Sequence, residues 1–286
     1  TPVEELLEDT RGQVTSSFPY QHKNIAIPEQ LFSVAGEQRK NALGIDLDST
    51  LDTGALLGTI NQIPLLAAHP IIDGKPIEAE LHKAYNPADQ QQLVGHYSNA
   101  SEEDILRALE SAHTAQPDWD AMGHSTRAEL LDKVADLMER DFAKLIGIIA
   151  TEGGRTLGDG VSEVREAIDF CRYYCLQAKS LQAGSLQAES LKAVSLQGKG
   201  VFLCISPWNF PLAIFVGQIA AALAAGNTVI AKPAAQTPAI AAAAIRLFHQ
   251  ASVPGAALQL LLGSGSQIGK LLISDSRVAG IAFTGS

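Results

Sequence analysis

The chain is poor in residues that announce chemistry by themselves. Of its 286 residues only 3 are cysteines, 2 methionines and 2 tryptophans. An odd cysteine count without ligand-like spacing excludes a disulfide framework and a structural metal site. No metal is therefore expected, and a reduced, cytoplasmic setting is. Basic charge is scarce too: 21 Lys and Arg against 31 Asp and Glu leave a formal net charge of −10. Nucleic acid requires a basic face, so no such partner is expected. No apolar run approaches the roughly 20 residues of a membrane span. The N-terminus, Thr1-Pro2-Val3-Glu4-Glu5, lacks an initiator Met and the basic-then-apolar order of a signal peptide. What is present, 46% hydrophobic and 18% charged residues, is a globular balance for one or two domains.

Residues 1–65 read as a linker or arm. Within them Asn41 to Leu47 is extended, and a helix begins between Asp48 and Leu57 behind an Asp or Ser cap. Beyond 65 the patterns sharpen. Ile71-Ile72-Asp73-Gly74-Lys75-Pro76-Ile77 predicts a hairpin closed by an Asp-Gly turn, and Asn86-Pro87-Ala88-Asp89 a second turn. Helical spacing marks 100–178. A helix opens at Ser101, with Asp104 completing a capping box. A second runs from about Ser125 to Gly153-Gly154, and a third from Val161 to Gln177. Residues 180–199 repeat every five positions (Ser180-Leu181-Gln182, Ser185-Leu186-Gln187, Ser190-Leu191-Lys192, Ser195-Leu196-Gln197). Leucine every fifth residue fits neither helix nor strand, and four copies cannot build a core. An exposed low-complexity insertion is expected, with an oligomerisation segment as the alternative.

From 200 to 286 strands and helices alternate. The strands are Val201 to Ser206, Thr228 to Lys232, Leu258 to Leu262 and Val278 to Phe283. Each is a short, unbroken apolar run, as in strands covered on both faces. The intervening helices span Leu212 to Ala225, Ala239 to Ala251 and Gln267 to Ile273. Gly226 closes the first, and Thr237-Pro238 supplies cap and N1 proline for the second. The fold class is α/β, a Rossmann-type parallel sheet.

Such sheets bind ligands beyond the carboxyl ends of their strands. There stand the carboxamide of Asn209, in Cys204-Ile205-Ser206-Pro207-Trp208-Asn209-Phe210-Pro211, and the ammonium of Lys232, before Pro233. Asn209 has an alternative reading as a turn residue capping the next helix, and Lys232 as a solvated surface charge. Gly263-Ser264-Gly265-Ser266-Gln267-Ile268-Gly269 opens a helix whose N–H groups can face phosphate, though its spacing is not the dinucleotide fingerprint. Cys171, Cys175 and Cys204 fall on buried positions, where thiols are inert. His113 and His249 read as surface residues.

In this order, the Pro207–Pro211 motif, Lys232-Pro233, the Gly263–Gly269 turn and Phe283-Thr284-Gly285-Ser286 resemble the NAD(P)-dependent aldehyde dehydrogenase superfamily. The resemblance covers about residue 80 to the end. It implies that Asn209 serves the oxyanion hole and Lys232 the adenosine ribose, and that Gly265, Gly269 and Ser286 line the pyrophosphate site. It also places Ile205, Ser206, Pro207 and Trp208 against the cofactor. Residues 66–286 are then a partial NAD-binding domain, truncated before the catalytic domain. Arg39 to Leu47, Glu163 to Tyr174 and Cys204 to Phe215 further resemble bifunctional proline utilisation A proteins. That implies oxidation of L-glutamate γ-semialdehyde to L-glutamate with NAD, in a homo-oligomer, with FAD confined to a preceding, covalently linked proline dehydrogenase domain. Two departures stand out. The glutamate that the family carries three residues after the lysine is Ala235 here, which weakens the case for NAD over NADP. The family's catalytic cysteine and general-base glutamate lie beyond its Phe-Thr-Gly-Ser motif. The chain alone is therefore expected to be inactive. Oxidation of another aldehyde, or a non-catalytic nucleotide-binding or interaction remnant, are the competing readings.

Overall fold

The computed structural model describes residues 25–27, 30–34, 39–189 and 196–285. Among the described residues the first elements are one helical turn, α1 (Leu31–Val34), and α2 (Thr50–Ile60), capped by Ser49 through Asp52 N. The stretch from Asn41 to Leu47 joins no sheet. It lies against the helices instead: Ala42 is fully buried and its N–H donates to Asp169.

Next come β1 (Leu66–Ala68), β2 (Ile71–Ile72), β3 (Lys75–Pro76), β4 (His82–Asn86) and β5 (Asp89–Tyr97). The β2–β3 hairpin forms as expected. Asp73 and Gly74 both take positive φ, 53° and 75°, as a type I′ turn demands. At the β4–β5 turn, Asn86 Oδ1 accepts from Ala88 N. β1, β5 and β4 form a small separate sheet in the order β1-β5-β4.

Four helices follow: α3 (Glu102–Ala121), α4 (His124–Arg140), α5 (Phe142–Gly153) and α6 (Leu157–Glu189). Ser101 and Asp104 make the full capping box. The single helix expected from Ser125 to Gly153 is two, broken at Asp141. α4 lies along α6, whereas α5 turns to meet α2. At Gly147 the approach is close enough that an added Cβ would stand 3.0 Å from Ile60 Cγ1. An apolar stripe continues through such a corner, so periodicity alone misses it. α6 starts earlier than expected, because Thr156 Oγ1 accepts from Asp159 N. It also continues past Gln177 through the first two repeat copies. That segment is rich in Ala, Gln and Leu, whose helical propensity is high whatever their spacing. Residues 190–195 of the repeat lie outside the described residues.

The remaining elements are β6 (Val201–Ile205), α7 (Ala213–Ala224), β7 (Thr228–Lys232), α8 (Pro238–Gln250), β8 (Leu258–Leu260), α9 (Gly265–Leu272) and β9 (Val278–Phe283). They build a six-stranded sheet, β3-β2-β8-β7-β6-β9. Its four later strands are parallel, and the β2–β3 hairpin is added antiparallel. Alternate side chains feed two cores. Val201, Leu203, Ile230 and Leu261 meet Ile105 and Leu109 of α3 and Ile268 and Leu272 of α9. Cys204, Val229, Ala231 and Leu260 meet the layer of α4 to α8. Gly226 closes α7 with φ 87°. β9 departs from expectation: its residues alternate half-buried and exposed, because it is the edge strand. Among the described residues no helix is long and apolar enough to cross a membrane.

Candidate functional site

The order β8-β7-β6-β9 reverses direction at β6: β7 and β8 are laid down on one side of it and β9 on the other. Open sheets of this kind bind ligands at such a switch point, here the edge between the loops after β6 and β9. Two backbone bonds hold its floor. Thr284 N donates to Ile205 O (3.0 Å), and Ser206 N to Lys232 O (3.2 Å). Thr284, Ile205, Lys232 and Gly265 thus follow one another along the carboxyl edge.

Ser206 to Pro211 form the loop after β6. Ser206 is buried and its hydroxyl unpaired, while Trp208, Asn209 and Phe210 are exposed. Among the described residues nothing hydrogen-bonds the Asn209 side chain, so it does not cap α7. The residue at the N-cap is Leu212, which has no side-chain acceptor. The acceptor comes from α6: Glu163 Oε1 receives Leu212 N (2.6 Å) and Ala213 N (3.3 Å). Burial pushes the Glu163 carboxyl above its ordinary range, opposed by those two N–H groups and by Arg155. The Arg155 guanidinium in turn lies 5.2 Å from the centre of the Phe210 ring.

Lys232 ends β7 and is only 7% exposed, so it is not a solvated surface charge. No carboxylate among the described residues pairs with it, and burial depresses its pKa. Its Nζ faces the start of α9, where a Cβ on Gly265 would come within 3.9 Å. Ser264 caps that helix through Gln267 N. Ala235 and Gln236 form an exposed turn after Lys232. Thr237 does not cap α8 as expected. Its hydroxyl is buried and unpaired, and Glu152 of α5 does the capping: Oε1 accepts from Ala239 N (2.7 Å) and Oε2 from Ile240 N (2.9 Å). Burial outweighs these bonds and raises Glu152 to about 7.

The structure therefore brings together Ile205, Ser206, Pro207, Trp208, Asn209, Lys232 and Gly265. Gly269 lies one turn into α9, buried against Ile273. Ser286 lies outside the described residues. All three cysteines are buried. Burial raises Cys171 and Cys175 and pushes Cys204 up to about 12, so none offers a thiolate. His113 is exposed as expected. His249 is half-buried, its Nε2 3.1 Å from Leu258 O, and burial lowers its pKa. An apolar groove of about 570 Å³ lies between α6, α7 and β9 and meets this edge at Thr284.

Sequence reasoning missed Glu152, Glu163 and Arg155 as parts of the site. A signal existed: Glu152 continues the stripe of Leu145 and Ile149, and Glu163 that of Ala167 and Cys171. A carboxylate on a core stripe must find donors.

Comparison with known proteins agrees with this geometry. The Aldehyde dehydrogenase family profile matches residues 75–286. The bifunctional protein PutA of Klebsiella aerogenes is 39% identical over 293 residues, covering 100% of this chain and 21% of its own length. A 1-pyrroline-5-carboxylate dehydrogenase of Bacillus cereus is 36% identical over 220 residues, covering 76% of this chain and 43% of its own. The crystal structure of proline utilization A from Bdellovibrio bacteriovorus superposes with a TM-score of 0.80 at 30% identity, covering 100% of this chain and 29% of that one. The chain thus spans about a fifth of the PutA relative and under half of the dehydrogenase. With three of its four sequence motifs at the carboxyl edge of one sheet, and a family match over most of its length, the chain belongs to the aldehyde dehydrogenase family.

Proposed function

We infer that the chain is the nucleotide-binding part of an aldehyde dehydrogenase module that oxidises L-glutamate γ-semialdehyde, the open form of 1-pyrroline-5-carboxylate, to L-glutamate. A longer polypeptide carries this module, joined to a proline dehydrogenase domain, as the names and lengths of the PutA relatives suggest. One observation carries the reading: at the carboxyl ends of adjacent strands stand the amide of Asn209, in the loop after β6, and the largely buried ammonium of Lys232, neither with a side-chain partner among the described residues.

The edge fits a dinucleotide. Among the described residues Lys232 has no carboxylate partner, and glycine at 265 leaves open the space beside its Nζ and the first N–H groups of α9. When bound there, NAD supplies a hydride acceptor. Lys232 would hold ribose hydroxyls, and the start of α9 would face the phosphates. Asn209 Nδ2 would donate to the aldehyde oxygen as it gains negative charge under thiolate attack. A fixed donor of this kind is worth about 2.7–4 kcal/mol to the barrier. The thiolate itself must come from outside these 286 residues, since all three cysteines of the sequence are buried.

The test is made on the full-length protein. Asn209→Ala should lower kcat by about 10²–10³-fold while NAD still binds. Lys232→Ala should weaken NAD binding and spare kcat at saturation. Equal turnover of simple aliphatic aldehydes and of L-glutamate γ-semialdehyde would overturn the substrate assignment. An unchanged kcat in Asn209→Ala would overturn the role of the amide.

A further inference from the structure

The loop that presents Asn209 is fixed at both ends, by different means. At its front, Ser206 N is tied to Lys232 O and Ile205 O to Thr284 N, so the sheet holds it. At its rear the chain enters α7 through Leu212, and the first N–H groups of a helix have no partners of their own. Only a side chain from elsewhere can hold them here, and Glu163 does so from α6. Its Oε1 alone takes both Leu212 N and Ala213 N, three and four residues after Asn209. The carboxylate is 2% exposed, and its second oxygen, also buried, has no partner among the described residues. One further contact meets the same stretch, and a glycine lies near it. Arg155 stands over Phe210, and a Cβ on Gly153, at the end of α5, would lie 3.9 Å from Pro211.

We propose that Glu163 is the positioning residue of the Asn209 loop, holding its rear anchor so that the amide keeps a fixed place relative to the sheet edge. The proposal rests on the reading of Asn209 as the oxyanion donor. A donor helps only if it is in place before charge develops, and a misplacement of about 1 Å costs up to 10²-fold. Glu163 touches no reacting atom; its effect runs through Asn209. It should therefore appear in kcat rather than in cofactor affinity. It should also depend on an acceptor at Oε1 rather than on negative charge, because only that oxygen is used.

The experiment uses the full-length protein with L-glutamate γ-semialdehyde and NAD, comparing Glu163→Ala, Glu163→Gln, Asn209→Ala and the double variant Glu163→Ala/Asn209→Ala. Glu163→Ala should lose about 10–100-fold in kcat with the NAD Kd changed less than about threefold. Glu163→Gln, whose carbonyl accepts both N–H groups, should keep kcat within about threefold and keep Leu212 and Ala213 protected from amide exchange. The double variant should be no slower than Asn209→Ala, since two residues acting as one unit are not additive. If Glu163→Ala does not fold, Glu163→Gln still decides: a kcat as low as that of Asn209→Ala overturns the proposal. So does a double variant whose losses multiply, or a loss in Glu163→Gln confined to substrate KM, which would mean that the charge meets substrate directly. A normal kcat in Glu163→Ala beside a lowered one in Asn209→Ala refutes the positioning role alone. A normal kcat in Asn209→Ala refutes the oxyanion reading and the positioning role with it.

Discussion

Ala235 occupies an exposed turn three residues after Lys232, where the resembling family carries a glutamate. A carboxylate at that point accepts hydrogen bonds from both ribose hydroxyls and repels a 2′-phosphate. Alanine does neither, so the full-length protein should use NAD and NADP with kcat/KM values within about a hundredfold of each other. Ala235→Glu should then shift the ratio towards NAD by about tenfold or more, a change of roughly 1.4 kcal/mol in binding. Steady-state kinetics with both cofactors checks this, and a native ratio above a hundredfold in favour of NAD refutes it. At this scale the sequence was legible in where it placed residues: Lys232 ends β7 and Asn209 lies in the loop after β6, as the apolar runs implied. It was opaque where the partner was remote. Glu152 bonds Ala239 from 87 positions away and Glu163 bonds Leu212 from 49, and no window of local pattern spans such distances.

The helices after β6 and β7 begin without a cap of their own, and carboxylates from α6 and α5 replace it. For α8 this has a consequence in pH. The Glu152 carboxyl ionises near 4.5 in an unfolded chain and near 7 in the fold. Between those values the unfolded state has released the proton while the folded state keeps it. The unfolded chain then binds fewer protons, so stability falls as pH rises through this window and levels off above about 7. The whole change is at most about 3 kcal/mol. Glu152→Gln removes the titration but turns its amide N–H towards Ile240 N, at a cost of about 1–3 kcal/mol. Amide exchange at Ala239 and Ile240, corrected for the intrinsic rate, should show falling protection from pH 5 to 8 in the native protein. In the variant it should show a lower but flatter level, and equal slopes would sink the assignment. The same remoteness explains which elements could be read in advance. The capping box at Ser101, the Asp-Gly hairpin and the strand–helix alternation after 200 are local and were found. The corner at Asp141 and the closeness of Gly147 to Ile60 depend on where α2 packs, which no local signal records.

Across the whole molecule, apolar runs identify β6 to β9 as strands but do not say which strand neighbours which. The order reverses at β6, with α3 and α9 packed on one face of the sheet and α7 and α8 on the other. The same order puts β9 at the edge. Its outward residues are uncovered, with Ile281 43% and Phe283 60% exposed, and the 570 Å³ apolar groove lies alongside. An unpaired strand beside an apolar surface is a template for another chain. The 286-residue chain studied by itself should therefore self-associate. Its weight-average sedimentation coefficient should rise with concentration in the micromolar range. Ile281→Lys with Phe283→Lys places charge on the outward face of β9 without touching the core, and should return the chain towards a monomer. A single concentration-independent monomer boundary for the unmodified chain would show that the edge is harmless. Association unchanged by the two lysines would move the contact away from β9, leaving the groove between α6 and α7 as the surface to mutate next.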